Sequence, residues 1–170
     1  MPNTRRNPVP EPTIQQFYDD DLAQCFGCGV ANAAGHHFGT RWLPDGRTET
    51  RFTPKPEHTA IRGFVYGGIV ASLIDCAGTG SAALAAGRER GVDAATQGAL
   101  RFVTGTLEVR YEHPTPMGPV LVCTGTITEV RGRKVTVELV VSADGVDVAR
   151  GRVIALEAPG TMSVPQPTDS

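Results

Sequence analysis

Two glycines and one aspartate, spaced along one apolar stretch, are the residues of this chain best suited to chemistry. Gly67 and Gly68 stand where a long helix is predicted to begin, and Asp75 follows seven residues after Gly68. The first N–H groups of a helix lack internal partners and lie at the positive end of its dipole. Without side chains in the way, these N–H groups are suited to hold an oxygen that becomes negative during a reaction. The pair therefore indicates an oxyanion hole, with an ordinary glycine-rich helix entry as the alternative.

Asp75 is the only charged residue between Gly67 and Gly87. It lies about 10 Å along the helix axis from Gly68, on nearly the same face, and Ser72 shares that face. A solvated helix face usually carries several Lys, Glu or Arg residues, whereas a buried carboxylate needs a partner or a function. Asp75 is therefore predicted to act as a base or as a nucleophile.

One long helix and a mostly antiparallel sheet must position these residues. Residues 67–86 have apolar side chains at helical spacing, and Gly87 is predicted to end the helix. A short helical turn is predicted within 13–24, and strands at 37–43, 47–53, 101–112, 120–130, 134–142 and 146–157. Regular alternation along 101–112 places Thr104 and Tyr111 on opposite faces. The order β-β-α-β-β-β-β indicates an α+β domain.

Composition limits the classes of function. The chain has 170 residues, which suit one domain, and 16 Lys+Arg against 18 Asp+Glu give no basic face for nucleic acid. We expect no membrane span, because no apolar run approaches about 20 residues. The N-terminal residues do not resemble a signal peptide, so a cytoplasmic location with reduced cysteines is expected. The predicted parts are a partly ordered extension over 1–24, one domain over 25–157 and a flexible tail over 158–170.

The motifs together resemble those of the PaaI-like acyl-CoA thioesterases, a branch of the hotdog-fold thioesterase superfamily. In that family a His-Gly-Gly opens the central helix, an acid follows at this spacing, and a Ser or Thr lies seven residues before a strand tyrosine. The matching residues here are Tyr66, Gly67, Gly68, Asp75, Thr104 and Tyr111. The resemblance covers roughly residues 25–157 and implies a hotdog fold, an antiparallel sheet wrapped around one long helix.

The resemblance also implies an activity, the hydrolysis of an acyl-CoA to a free acid and CoA. Asp75 corresponds to the catalytic acid, Gly68 with Gly67 to the amides that polarise the thioester carbonyl, and Thr104 to the residue that positions the attacking water. CoA is part of the substrate, so no separate cofactor is expected. The family's sites are shared across a homodimer, and pairing of two such dimers is left open.

Tyr66 departs from the family pattern, because it stands in place of the histidine. A phenol can donate a hydrogen bond to the thioester oxygen but is a poor base at neutral pH. The polar residue that some members carry six positions earlier falls on Ala60, and His58 is the candidate to replace it, with an ordinary loop histidine as the alternative. Tyr66 leaves open a non-hydrolytic acyl-CoA or lipid-binding protein. A hotdog hydratase is a separate alternative, although such enzymes usually pair an Asp with a His and no histidine lies within 63–112.

Arg131, Arg133 and Lys134 place three cations in one predicted hairpin turn. Arginine and lysine suit phosphates, which coenzyme A carries, so these residues are candidates for binding the nucleotide end of the substrate. A charged, solvated turn is the alternative.

A CxxC formed by Cys25 and Cys28 is the most conspicuous motif by eye. It supplies two ligands of the four that a structural zinc needs, and of the adjacent His36 and His37 only one could easily reach a metal. A redox pair would need a helix opening with the motif, which is not predicted. We therefore predict no metal site and interpret the stretch as a turn-rich lead-in to the fold.

Overall fold

The apolar segment with helical spacing forms α1, Gly67–Arg90, in the computed structural model, which describes residues 11–159. Two 3₁₀ turns, Ile14–Phe17 and Pro56–His58, and a short helix α2, Ala94–Gln97, accompany it. The six strands are β1 Thr40–Trp42, β2 Thr48–Phe52, β3 Phe102–Tyr111, β4 Leu121–Arg131, β5 Lys134–Ala143 and β6 Val146–Glu157. Residues 1–10 of the predicted extension and 160–170 of the predicted tail lie outside the described residues.

The strands form one antiparallel sheet in the order β1-β2-β4-β5-β6-β3. Because the long helix α1 contacts all six strands, the sheet wraps around it. The helix approaches β6 closely at Gly78, where a Cβ atom would lie 2.5 Å from Val153. This architecture confirms the predicted α+β class and the hotdog arrangement of a sheet around one long helix.

The end of α1 corrects the sequence prediction, because the helix continues past Gly87 and stops at Gly91. Gly91 adopts a left-handed conformation with φ 66°, and the N–H of Val92 bonds to the carbonyl of Gly87 at 2.8 Å. The extra turn is anchored by Arg88, whose guanidinium lies 3.6 Å from the centre of the Trp42 ring. Contacts with the sheet, rather than glycine alone, therefore decide where the helix ends.

By length and composition, α1 could cross a membrane, since its 24 residues include a window of mean hydropathy 1.5. The sequence expectation that no such run exists was wrong on this point. However, 78% of that window is buried inside the protein. A helix buried by its own sheet is the core helix of the domain. Its residues are apolar on all sides because the sheet surrounds it.

The segment before the CxxC also packs against the fold. Ile14, Gln15 and Tyr18 are buried, and the Gln15 Oε1 accepts a hydrogen bond from the N–H of Thr40 at 2.8 Å. The Thr40 hydroxyl in turn pairs with that of Thr50 at 2.8 Å. The first strands are thus tied to residues that the sequence analysis assigned to the extension, and the proposed boundary at residue 25 stays a prediction.

Candidate active site

The start of α1 leaves backbone donors open. Tyr66 precedes the helix, and no side chain of the described residues caps the helix start. The N–H of Ile69 bonds to the Tyr66 carbonyl at 3.0 Å, but within residues 11–159 the N–H groups of Gly67 and Gly68 have no hydrogen-bond partner. Both glycines are partly exposed. Two unsatisfied donors at the positive end of a long helix can bind an oxygen that carries negative charge.

Asp75 lies inside α1, is partly buried and faces β3. The hydroxyl of Thr104 on β3 donates a hydrogen bond to Asp75 Oδ1. This contact brings together the two side chains that the sequence analysis assigned to the acid and to water positioning. The Thr104 oxygen keeps lone pairs free, so it can accept a hydrogen bond from a water molecule held beside the carboxylate.

A β-bulge in β3 brings Thr104 and Tyr111 to the same side of the strand, which corrects the predicted alternation. Thr104 pairs with Ala155 and Thr106 with Ile154, so Gly105 is an extra residue without a partner in β6. In a regular strand, residues seven apart point to opposite faces, and one extra residue reverses that relation. Both side chains consequently reach α1, where Thr104 contacts Asp75 and Tyr111 contacts the helix start.

Two tyrosines surround the helix start. The Tyr111 hydroxyl donates to the Gly67 carbonyl at 2.7 Å, and burial, followed by the charge of Tyr66, raises the pKa of Tyr111. The side chain of Tyr66 folds back on the helix, since a Cβ on Gly68 would lie only 2.3 Å from the Tyr66 ring. With 57% of its surface exposed, Tyr66 is accessible to a ligand at the open N–H groups.

His58 and Ser72 are placed differently. The His58 Nδ1 accepts a hydrogen bond from the N–H of Lys55 at 3.0 Å, and its ring packs against Phe52 and His36 with centroid distances of 5.5 and 5.1 Å. Among the described residues His58 makes no hydrogen bond to Asp75. Ser72 is partly buried on α1, between the glycines and Asp75. His58 therefore stabilises the conformation of its own loop, whereas Ser72 lies near the helix start.

The three cations of the predicted CoA site lie at the other end of α1. Arg131, Arg133 and Lys134 surround the β4–β5 turn, and Arg90 at the helix end donates to the carbonyl of Gly132 in that turn at 3.2 Å. Fifteen residues of helix, about 22 Å, separate Arg90 from the acid at position 75. Within one chain, the structure therefore does not bring these cations to the helix start.

A groove of about 480 Å³ adjoins the helix start. Apolar side chains dominate its lining, and two of them are strongly exposed, Ile61 at 74% and Phe64 at 41%. The lining also includes Gly67 and Tyr111, so the groove opens onto the unsatisfied helix donors. Exposed apolar surface beside polar donors is typical of a site that binds an apolar ligand or a partner.

A cluster of three cysteines is the feature that the sequence analysis missed. The sulfur atoms of Cys25, Cys28 and Cys76 all lie within 4.8 Å of one another, whereas neither His36 nor His37 belongs to the cluster. Contact with the other two thiols holds the pKa of Cys25 far below its usual value, and contact with Cys25 raises the pKa of Cys76 and brings that of Cys28 to about 11. The sequence did contain one sign of this cluster, because Cys76 directly follows Asp75 in the apolar helix.

Comparison with known proteins identifies the family. The family model for the thioesterase superfamily matches residues 62–150, from just before the helix start into β6. A solved thioesterase superfamily protein from Shewanella loihica PV-4 is 45% identical, covers 76% of this chain and 97% of its own, and superimposes with a TM-score of 0.61. The chain belongs to the thioesterase superfamily. A search of curated proteins gave no match.

More distant structures share the fold. The BH2602 protein from Bacillus halodurans, solved with CoA, is 24% identical over 77% of this chain and 80% of its own, with a TM-score of 0.59. The PaaI protein from the phenylacetic acid degradation operon of E. coli is 16% identical over 74% of this chain and 82% of its own, with a TM-score of 0.58. At these identities the two structures show a shared fold.

Proposed function

We propose that this protein hydrolyses an acyl-CoA thioester to a free carboxylic acid and CoA. The observation that carries the proposal is the hydrogen bond from Thr104 to Asp75, made on the same helix whose first N–H groups are open. A carboxylate, a hydroxyl that can hold water and a pair of unsatisfied donors are the groups that thioester hydrolysis needs. Membership of the thioesterase superfamily and the relative solved with CoA agree with this chemistry.

In the proposed reaction, water held by Thr104 gives a proton to Asp75 as its oxygen attacks the thioester carbon. The carbonyl oxygen becomes negative and is stabilised by the N–H of Gly68, with Gly67 and the Tyr66 hydroxyl as further donors. Collapse of this intermediate breaks the C–S bond, and the CoA sulfur takes the proton back from the carboxyl group. Direct attack by the carboxylate, followed by hydrolysis of the anhydride, is the alternative course.

The geometry of one chain favours a site completed by a second copy. Gly68 and Asp75 lie about 10 Å apart along α1, whereas an oxyanion donor and the attacking water must both be within about 3 Å of one carbonyl group. β3 is an edge strand of ten residues, and exposed edges of this length readily pair with another chain. We therefore propose a homodimer with shared sites, and light scattering of the purified protein distinguishes this dimer from a pair of such dimers.

The substrate-binding residues follow from this arrangement. The apolar groove at Ile61 and Phe64 suits the acyl chain, because it opens onto the helix start. Arg131, Arg133 and Lys134 remain candidates for the CoA phosphates. Since they lie at the far end of α1, they can serve a site only if the substrate spans that distance or the partner chain brings them near. No separate cofactor is proposed, and the cytoplasmic location remains a prediction.

A screen of acyl-CoA substrates with detection of the released thiol tests the proposal. We expect wild-type protein to release thiol from at least one substrate, and Asp75→Asn to lose that release while still binding CoA. The exposed Tyr66 in place of the family histidine favours one second candidate, a non-hydrolytic acyl-CoA-binding protein. Binding of CoA without thiol release from any substrate by the wild type would establish that second candidate instead.

A further inference from the structure

Three cysteine sulfurs converge where an N-terminal loop meets α1. Cys25 and Cys28 come from the loop and Cys76 from the helix, and all three sulfur atoms lie within 4.8 Å of one another. Cys28 and Cys76 are buried, with 1% and 5% of their surfaces exposed. None of the three forms a disulfide. A disulfide would use only two of these sulfurs, whereas a metal ion uses all three.

The loop is built to bring its backbone against the helix cysteine. A Cβ on Gly27 would lie 2.3 Å from the Cys76 sulfur, so a side chain at this position would displace the sulfur. The loop is held in this position by backbone hydrogen bonds, from Gly29 to the Cys25 carbonyl at 2.7 Å and from Phe38 to the Gly27 carbonyl at 2.9 Å. These bonds fix the positions of the two loop cysteines against α1.

The surroundings of the three sulfurs suit a charged group. Tyr18 is only 6% exposed, yet its hydroxyl has no hydrogen-bond partner among the described residues. Burial raises the pKa of the Tyr18 hydroxyl, and the neighbouring Arg101 guanidinium opposes that rise. The Arg101 guanidinium lies 4.9 Å from the centre of the Tyr18 ring. A buried hydroxyl without a protein partner usually bonds to a water molecule or an ion.

We propose that Cys25, Cys28 and Cys76 bind one divalent, thiolate-preferring metal ion, of which zinc is the best match. Zinc–sulfur bonds are about 2.3 Å long, so sulfurs around one tetrahedral ion lie about 3.8 Å apart, a separation that these three can reach by small movements. Each ligating thiol loses its proton to solvent as its metal bond forms. Three thiolates around a divalent ion leave one negative charge, and a water molecule can take the fourth position of a tetrahedral zinc.

The proposed ion would fasten the loop to α1 directly beside the candidate catalytic acid. Cys76 follows Asp75 in the helix, and the two side chains face different neighbours, the loop and β3. The metal would therefore have a structural role and would not contact the thioester. This assignment departs from the sequence prediction of no metal, which considered only Cys25, Cys28 and the nearby histidines as ligands.

Metal analysis of the full chain, purified without a histidine tag in reducing buffer free of chelator, tests the proposal. We expect about one zinc ion per chain in wild type and a loss of more than tenfold in Cys76→Ala. Cys123→Ala is the matched control, since Cys123 is equally buried but lies outside the cluster, and it should keep its zinc. Because Cys76→Ala could impair folding, Cys25→Ser in the partly exposed loop serves as a second variant with the same expected loss.

Cobalt binding gives an independent measurement on the same variants. Metal-free wild type and Cys123→Ala should show a sulfur-to-cobalt charge-transfer band, and Cys25→Ser should show a weaker one. The proposal is overturned if folded wild type contains no zinc and shows no such band with cobalt. It is equally overturned if mass and peptide mapping of folded protein, kept in the reducing purification buffer, show two of the three cysteines joined in a disulfide.

Discussion

Asp75 and Cys76 are neighbours on one helix, yet they serve two different regions of the molecule. Asp75 is partly buried, accepts a hydrogen bond from Thr104 and points toward the edge strand β3. Cys76 is buried against the loop of Cys25 and Cys28, on another side of α1. Successive helix residues point about 100° apart, so one position separates a polar, accessible face from a sulfur-lined contact.

The difference teaches how one helix can combine chemistry with rigidity. On the Asp75 side, small residues leave room for a substrate and the open N–H groups can bind it. This face is therefore less tightly packed. On the Cys76 side, the loop closes over the helix and excludes solvent. A catalytic carboxylate must be held within a fraction of an ångström of its working position, and a rigid contact on the adjacent face provides this support. Substitutions on the two faces should therefore have separable effects.

Asp75→Asn should have the largest effect, and this effect should be confined to the reaction rate. Loss of the base or nucleophile is expected to lower kcat by about 10²–10⁴-fold, because the amide cannot accept the proton. Steady-state thiol release measures this change, and thermal unfolding should be nearly unaltered. Asp144→Asn, the same change in the exposed β5–β6 turn, should retain the wild-type rate. Equal rates for the two variants would remove Asp75 from the mechanism.

Thr104→Val should follow, with a smaller loss of rate. It removes the hydroxyl that bonds Asp75 but keeps the shape of the side chain, so we expect kcat to fall about 10–100-fold, corresponding to about 1–3 kcal/mol. Thr104→Ser should restore most of the rate. The control is Thr106→Val across the bulge, since within residues 11–159 the Thr106 hydroxyl makes no hydrogen bond to Asp75. A rate loss in Thr106→Val as large as in Thr104→Val would contradict the proposed role of the bulge.

Cys76→Ala should act in the opposite way, on stability more than on rate. We expect the free energy of unfolding to fall by about 1–3 kcal/mol from lost packing and lost ligation, with kcat within a few-fold of wild type. Denaturant unfolding with and without a strong chelator measures this, and chelator should destabilise wild type but not the variant. A loss of rate in folded Cys76→Ala comparable to that of Asp75→Asn would break the distinction between the two faces.

Tyr111→Phe should have the smallest effect. It deletes the hydrogen bond from the hydroxyl to the Gly67 carbonyl, for a cost of about 0.5–1 kcal/mol in the free energy of unfolding. Tyr66→Phe is the matched comparison, because the Tyr66 hydroxyl has no hydrogen bond within residues 11–159 and its removal should leave stability unchanged. If Tyr66→Phe proves the more destabilising of the two, the arrangement of the helix start described above is wrong.

The sequence allowed the helix start and several strand boundaries to be predicted because local pattern determines them. Gly67 opens α1 and Val146–Glu157 forms β6 as predicted. The bulge at Gly105 escaped prediction because it depends on pairing with β6, about fifty residues later in the chain. The link between Cys25 and Cys76 was missed for the same reason. Local periodicity gives no information on which distant residues meet.

The most direct test of the account is single-turnover thiol release with the protein in excess over a reactive acyl-CoA. Binding and release are measured on the same samples, so substrate affinity is separated from the chemical step. We predict that wild type releases all of the bound thiol, and that Asp75→Asn binds the substrate with the same affinity but releases none over the same time. Release by Asp75→Asn at the wild-type rate, or binding by wild type without release from any acyl-CoA, would contradict the account.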